Sequence, residues 1–301
     1  MQQHNPGKRV RWVGFDMDEC IGSLMSVWPY CDYMLEHVPK EKRYAFLQEI
    51  AARLANANTA SRIWIIRPEL DAVLKRLGEA QQRREIVGCF ILSNNASLRL
   101  VETVRLMMNI RTAKLTHSQR PLFLVGWHRT APCRLRRTTK SWDMIQHCLK
   151  ASGYPQITTR RDLLFYDDLS HVLQKEIPHY IQVPPYYYTT PHKRIHDVLQ
   201  SLFAEFDLRE PAITATIREA DGMEKQEILS DRELVQSPPP TESKKEMDVF
   251  LTGLEGFLQD GAPSPTRSTS SSPTPRKRGH TRKLRSAGAS AYTRRAPRNH
   301  R

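Results

Sequence analysis

The 301-residue sequence contains few cysteines and no long apolar run, and each absence excludes a class of protein. Its five cysteines include no C-x-x-C pair, so the sequence predicts neither a zinc site nor a disulfide framework, and a reducing compartment is expected. No segment approaches the roughly 20 apolar residues that span a bilayer, so no membrane association is expected. The first nine residues are polar and lack the apolar core of a signal peptide, which predicts that the protein is not secreted.

Acidic residues are absent from the last part of the chain, 261–301, which contains eleven Lys or Arg. Because the whole chain has a formal net charge of +14, the residues before this tail carry only +3. The tail is rich in Ser, Thr and Pro and poor in large apolar residues, which predicts disorder over 260–301. Its basic cluster at 276–285 suits nucleic-acid phosphates or a nuclear-import receptor, although Tyr292 is the only aromatic residue available for base stacking.

Two acidic residues follow the first predicted strand. Asp16 and Asp18 come directly after the apolar segment Val10–Phe15. Burying an acid is costly, so acids at a strand end are expected to face a cleft, which in an open parallel sheet lies at the carboxyl ends of the strands. With two acids there, one can act as a nucleophile or metal ligand while the other donates and accepts a proton. Taken alone, an Asp-x-Asp pair is more often part of a solvated turn.

A second buried strand, Ile86–Leu92, is also predicted to end in polar residues. Ser93, Asn94 and Asn95 follow it directly. Ser and Asn are preferred as N-cap residues, which flank the first turn of a helix, so these residues can also be interpreted as a cap for the next helix.

A third strand, Asp162–Tyr166, ends in Asp167 and Asp168. Between the second and third strands, Lys140 opens an amphipathic helix predicted over Lys140–Lys150. Considered singly, the lysine is interpreted as a solvated surface residue and the paired acids as a turn. The joint appearance of all these segments indicates one site at the carboxyl edge of a sheet.

The order Asp-x-Asp, Ser, Lys and paired Asp resembles the four motifs of the haloacid-dehalogenase (HAD) superfamily of phosphohydrolases. The resemblance covers roughly residues 8–185, and four short motifs in the same order and strand context make a specific pattern. Arg67-Pro68-Glu69-Leu70, before the second motif, also resembles the subgroup that dephosphorylates the RNA polymerase C-terminal domain and its NLI-interacting-factor-like relatives. Pro at a helix start is common for structural reasons, so this subgroup clue is the weaker one.

The resemblance implies a role for each motif residue. Asp16 would attack phosphorus and form an aspartyl phosphate, and Asp18 would act first as general acid and then as general base. Lys140 would neutralise the nucleophile and the phosphate together. Ser93 would donate a hydrogen bond to a phosphate oxygen, and Asn94 would orient the phosphate or the leaving group.

The resemblance also implies a bound Mg²⁺, a cation that favours hard oxygen ligands. Asp16 would supply a side-chain oxygen and Asp18 a backbone carbonyl. A further ligand would come from Asp167 or Asp168, with Asp168 favoured.

Two residues depart from the family pattern. Cys20 stands where Thr or Val is usual, and it can replace Val in volume but cannot supply a hydroxyl. Glu19 adds a negative charge beside Asp18. Neither change removes a group that the implied mechanism needs.

Alternating strand and helix patterns predict an α/β fold, a Rossmann-like parallel sheet with helices on both faces, over a domain spanning 8–208. The long separation between the first and second motifs makes 23–62 either a small helical cap insertion or a helical layer on the flank of the sheet. A linker is predicted over 209–246 and an amphipathic helix over 247–259, which should dock on the body or on a partner. Further segments are predicted as strands (Leu122–Val125, Ile181–Val183) and helices (Glu69–Gln82, Leu98–Met108, His192–Phe206).

The sequence therefore predicts an Mg²⁺-dependent phosphomonoester hydrolase with a phosphoprotein substrate, located in the nucleus or cytoplasm. The alternative is a nucleic-acid-associated or scaffolding protein with weak or lost catalysis, or a nucleotide or nucleic-acid phosphatase. Two other phosphate chemistries lack support: the chain has no G-x-x-x-x-G-K-[ST] loop, and Cys133-Arg134 lacks the glycine-rich loop of cysteine phosphatases.

Overall fold

The computed structural model describes residues 9–57, 63, 65–94, 97–128, 140–186, 190–229 and 244–260. The strands are β1 (Trp12–Phe15), β2 (Gly88–Leu92), β3 (Phe123–Trp127), β4 (Leu163–Asp167) and β5 (His179–Gln182). The helices are α1 (Trp28–Glu36), α2 (Arg43–Asn56), α3 (Leu70–Gln82), α4 (Leu98–Thr116), α5 (Trp142–Ala151), α6 (Leu173–Glu176), α7 (His192–Glu205), α8 (Glu210–Leu229) and α9 (Lys244–Gln259). All five predicted strands are present, with ends that differ from the predictions by a few residues.

The five strands are parallel and lie in the order β3-β2-β1-β4-β5. The chain leaves β1 towards β2 and β3 and later returns to β4 on the other side of β1, so the strand order reverses between β1 and β4. Phe15 at the end of β1 lies in register with Tyr166 of β4. Ligands of open α/β sheets bind outside the carboxyl ends of the strands at such a reversal.

Successive side chains of the strands alternate between two buried cores, as strand geometry requires. Val13 and Phe15 belong to the larger core, together with apolar residues of α3 and α4. Trp12 and Phe165 belong to the smaller core, together with apolar residues of α5. A parallel sheet covered on both faces confirms the predicted α/β fold, which is consistent with the Rossmann-like fold of HAD proteins.

The segment between β1 and α3 contains α1 and α2, in agreement with its predicted helical character, and both pack against other helices. α2 contacts α4 and α7, and α1 contacts α4 and α8. Phe46, Leu47, Ile50, Ala51 and Leu54 of α2 are all buried and recur at helical spacing, so they form an apolar stripe along the helix. Residues 1–262 form one compact unit that includes these helices, and the choice between a cap insertion and a helical layer for 23–62 stays a prediction.

Helix α9 packs on α3, β4 and β5, so a segment late in the chain contributes to the larger core. Phe250, Leu254 and Phe257 are completely buried. Gly253 permits this close approach, because a Cβ atom there would lie 2.7 Å from Cγ1 of Ile181 in β5. The predicted amphipathic helix therefore docks on the body of this chain.

The first half of the predicted linker, 209–246, is helical. α8 covers Glu210–Leu229, contacts α1 and α7, and buries Ala212 and Thr216. Charged residues on the outer face of a packed helix give the same composition as a linker, which is why this part of the prediction was wrong. The Pro-rich segment 237–240 and residues 261–301 of the predicted tail lie outside the described residues.

The described cysteines are mostly buried thiols. Cys20, Cys31 and Cys89 are free, and all three are buried. Within the described ranges, each helix is too short or too polar to cross a bilayer.

Candidate active site

Asp16 and Asp167 meet where the strand order reverses. Asp16 directly follows β1, and its backbone N–H donates to the carbonyl oxygen of Tyr166 at 2.8 Å, which continues the β1–β4 pairing by one residue. Asp167 is the last residue of β4 and is completely buried. Because neighbouring parallel strands end at the same edge, two carboxylates far apart in sequence become neighbours.

Lys140 joins these two carboxylates. Its Nζ lies 2.7 Å from Oδ1 of Asp16 and donates to Oδ2 of Asp167 at 2.9 Å, and only 1% of the residue is exposed. Its position is fixed by the start of α5, where the side chain of Ser141 caps the helix by accepting from the N–H of Met144. The interpretation of Lys140 as a solvated surface lysine is therefore wrong.

The second motif reaches the first through Ser93, the residue after β2. Its hydroxyl donates to Oδ2 of Asp18 at 3.4 Å, and its backbone N–H donates to the carbonyl of Trp127. Helix α4 is capped by Ser97, whose side chain accepts from Leu100 N–H, so the capping role proposed for Ser93 falls to another residue. Asn94 is exposed beside Ser93.

Asp18 lies in a tight turn that follows Asp16. Glu19 adopts a left-handed backbone with φ of 61°, which is uncommon for a residue with a side chain. Ile21 N–H closes the turn by donating to the carbonyl of Met17 at 3.0 Å. Gly22 then passes so close to a neighbouring segment that a Cβ atom would lie 1.8 Å from the carbonyl oxygen of Ile65.

Burial and mutual repulsion control the ionisation of the site. Burial raises the pKa of Asp16 to about 7, with Lys140 opposing the rise and Asp167 adding to it. Burial and then the charge of Asp167 raise the pKa of Asp168 to about 6. Burial acts to lower the pKa of Lys140, but Asp16 and Asp167 outweigh it and the pKa is raised. One ammonium thus faces more carboxylate charge than it can neutralise.

The three carboxylates also fit a divalent cation. One side-chain oxygen each from Asp16, Asp167 and Asp168 lie within 4.8 Å of one another. Oδ1 of Asp168 is buried and accepts no hydrogen bond from the described residues, so a buried oxygen is left with ligand capacity. Mg²⁺ favours carboxylate oxygens and keeps several waters, and its charge would offset the excess of negative charge. The preference for Asp168 over Asp167 as a ligand stays a prediction.

Two residues near the site were not assigned a role from the sequence. Arg67, noted there only as a subgroup clue, is completely buried and donates to the carbonyl of Cys20 in the Asp18 turn. His171 lies with Nε2 3.6 Å from Oδ2 of Asp167. The Arg67-Pro68 pair before α3 gave no signal for this buried position beyond the subgroup resemblance, and an isolated histidine after the paired acids gave none.

The raised carboxyl pKa values predict how the stability of the metal-free protein depends on pH. A folded-state pKa above the unfolded value means that the folded protein binds protons more tightly, so stability falls as pH rises from about 4 to about 7. Where one such carboxyl is protonated in the folded protein and ionised in the unfolded protein, the free energy of unfolding falls by about 1.4 kcal/mol for each pH unit. Urea unfolding in chelator across this range should show the decline, and Mg²⁺ should reduce it.

The matched control is Asp16→Asn, which removes one of the two titrating groups and should flatten part of the decline. A metal-free protein whose stability increases steadily over the same range would contradict the predicted electrostatics.

Comparisons with known proteins give limited information. No protein-family model matches the chain, and no curated protein matches it. Among solved structures, the chain is similar to a HAD-superfamily hydrolase of subfamily IA, variant 1, from Geobacter sulfurreducens. The similarity has 14% identity and a TM-score of 0.30, and covers 64% of this chain and 98% of that chain. It is too weak to carry an argument about activity, and the relation to the RNA polymerase C-terminal-domain phosphatases finds no support.

Proposed function

We propose that this protein is an Mg²⁺-dependent phosphomonoester hydrolase that works through an aspartyl phosphate on Asp16. The observation that carries the proposal is the bridge that Lys140 makes between Asp16 and Asp167. Three separate chain segments supply these groups, at positions 16, 140 and 167, and a surface ion pair would not need such burial. This buried cation lies at the edge where α/β proteins bind ligands and would contact a phosphate dianion there, once a divalent cation offsets the remaining carboxylate charge.

In the first step, a carboxylate oxygen of Asp16 forms a bond to phosphorus as the bond from phosphorus to the ester oxygen breaks. Asp18 is two residues further along the tight turn, and as a carboxylic acid it transfers its proton to the departing oxygen. Lys140 holds Asp16 in place and places positive charge beside the equatorial phosphate oxygens. The products are the alcohol and a phosphorylated Asp16.

In the second step, the carboxylate of Asp18 takes a proton from a water molecule as that water attacks phosphorus. The bond between phosphorus and the Asp16 oxygen breaks, which releases inorganic phosphate and restores both residues. Ser93 contacts Asp18 at 3.4 Å, which helps to hold the side chain where both proton transfers occur. Splitting the reaction into two displacements is the benefit of a covalent intermediate.

Asp16, Asp167 and Asp168 would hold the Mg²⁺ through side-chain oxygens, and Asp18 through its backbone carbonyl. When bound, the cation supplies positive charge to the phosphate oxygens and lowers the repulsion between the phosphate and the carboxylates.

A phosphoprotein is the proposed substrate class. The segment between β1 and α3 belongs to the same compact unit as the sheet and its helices pack on α4, α7 and α8. Such a layer supports access of a large substrate better than a separate cap domain would. Leu169, next to Asp168, and Leu98, at the start of α4, are each more than half exposed and suit contact with apolar side chains of a substrate.

Hydrolysis of an aryl phosphate by the purified full-length chain tests the proposal. We expect phosphate release in Mg²⁺ and its loss when a chelator removes the metal. No turnover of any phosphomonoester in Mg²⁺, by protein shown to be folded, would overturn the proposal.

Deletion of 261–301 provides the control that distinguishes a phosphomonoester hydrolase from a nucleic-acid-associated or scaffolding protein. The shortened protein should hydrolyse the aryl phosphate at an unchanged rate but bind polyanions less tightly, since eleven positive charges are removed. A body that binds nucleic acid without hydrolysing any phosphomonoester would favour the scaffolding alternative.

A further inference from the structure

Arg67 connects three distant parts of the molecule through one buried guanidinium. Nη1 donates to the carbonyl of Pro184, beyond β5, at 2.9 Å and to the carbonyl of Cys20 at 3.4 Å. Nη2 donates to Oε2 of Glu246 in α9 at 2.8 Å. Glu69 lies near the same guanidinium, with a carboxylate oxygen 3.6 Å from Nε. A completely buried cation requires such partners, because leaving it uncompensated costs several kcal/mol.

The turn that receives one of these hydrogen bonds carries Asp18. Its backbone is strained at Glu19, where φ is 61°, so the turn depends on its neighbours to keep this shape. Tyr186 N–H donates to the carbonyl of Glu19 at 2.8 Å, and Arg67 contacts the next carbonyl, that of Cys20. The loop after β5 and Arg67 thus hold two successive carbonyls of the turn.

Helix α9 is anchored to the body at several points besides Arg67. Tyr166 donates its hydroxyl to the carbonyl of Phe250 at 2.8 Å, and Arg76 pairs with Glu255 at 2.6 Å. Glu246 and Glu255 therefore both bind an arginine of the body, and their side chains are 33% and 43% exposed. They differ in that the arginine that binds Glu246 is completely buried and contacts the Asp18 turn, whereas the side chain of the arginine that binds Glu255 is 23% exposed.

We infer that Arg67 is a positioning residue that couples the docking of α9 to the geometry of Asp18, with Glu246 as the contact that sets its orientation. Without Glu246, the guanidinium is drawn towards Glu69, its remaining carboxylate, and away from the carbonyls of Cys20 and Pro184. The strained turn then loses one of its supports, and Asp18 loses its fixed position. The effect on turnover rests on the proposed hydrolase function, whereas the effect on the turn does not.

Glu246→Ala and Glu255→Ala form the matched pair that tests the coupling. Both remove one ion pair between α9 and the body, and Glu246→Ala should lower the melting temperature more, because Arg67 is completely buried whereas the side chain of Arg76 is 23% exposed and still pairs with Glu85. Glu246→Ala should reduce kcat for an aryl phosphate by about tenfold to a hundredfold, since small displacements of a catalytic group have effects of this size. KM should change little, because proton transfer by Asp18 belongs to the chemical step. Glu255→Ala should keep the wild-type kcat.

Amide hydrogen exchange over 16–24 provides a readout that needs no activity. Exchange should become faster in Glu246→Ala and stay unchanged in Glu255→Ala. If the wild-type protein proves inactive, the hydrolase proposal fails, and this comparison still decides whether the turn is coupled to α9. Equal exchange and equal kcat in the two variants would overturn the inference.

A double variant tests whether Glu246 acts through Arg67. Arg67→Lys keeps the charge but cannot contact all of the acceptors at once. Adding Glu246→Ala to Arg67→Lys should cause no further loss of kcat, whereas additive losses would show that the two residues act independently.

Discussion

Replacing Asp16 with Asn should lower phosphate release by about four orders of magnitude or more, the scale seen when a covalent nucleophile is removed. The amide keeps the size and shape of the side chain, so the buried position beside Lys140 stays filled. It cannot form the ester bond to phosphorus, and it offers a weaker ligand to a cation. Because it also removes one of several crowded carboxylates, the variant should be at least as stable as the wild-type protein at neutral pH.

The measurement is steady-state hydrolysis of an aryl phosphate, accompanied by mass spectrometry of acid-quenched protein. A phosphate adduct on the peptide containing Asp16 should appear in the wild-type protein and be absent from Asp16→Asn. Asp16→Ala serves as the control against slow deamidation of the introduced amide. Near-normal turnover by both variants would require the covalent mechanism to be abandoned.

Lys140→Ala should lower kcat by about two orders of magnitude or more, since one preorganised charged contact at a transition state is worth about 3 kcal/mol. The loss has two physical sources. The transferring phosphate loses a positive charge, and Asp16 loses the cation that favours its ionised form. Arginine should rescue poorly, because a planar guanidinium does not fit between the oxygens of Asp16 and Asp167, which lie 2.7 and 2.9 Å from Nζ.

Lys150→Ala is the matched control for this prediction. Lys150 lies in the last turn of α5 and is exposed, so its removal changes the charge of the same helix without touching the carboxylates. Its kinetics should equal those of the wild-type protein. If Lys140→Ala kept full activity and Lys150→Ala lost it, the assignment of the lysine would be wrong.

The sequence predicted the convergence of the motif residues because that convergence depends on local patterns. Each apolar strand could be recognised by itself, and parallel strands end at one edge, so Asp16 and Asp167 had to be neighbours once β1 and β4 paired. The function of Lys140 could be inferred only from its order relative to the other motifs. Its burial shows that a lysine before a helix can point into the protein interior when carboxylates there form ion pairs with it.

Long-range features had no comparable sequence signal. The charged composition of α8 resembles a linker, and only its packing on α1 and α7 identifies it as part of the body. Arg67 precedes a proline at a helix start, a pattern with an ordinary structural explanation, and its bond to Glu246 joins positions 179 residues apart. Pairings over such distances depend on the complete tertiary structure and cannot be derived from local periodicity.

The late position of α9 has a consequence for how the protein folds during synthesis. Tyr166 of β4 and Ile181 of β5 lie beneath α9, so this part of the sheet stays uncovered until residues near 258 have been made. During this interval the nascent chain carries an exposed apolar surface, a state prone to aggregation and recognised by chaperones. Closing the core then requires contacts such as that between Arg11 and Leu258, 247 positions apart, which favours slow folding. A ribosome that stalls after residue 208 would therefore present every proposed catalytic residue in a domain whose core is still open.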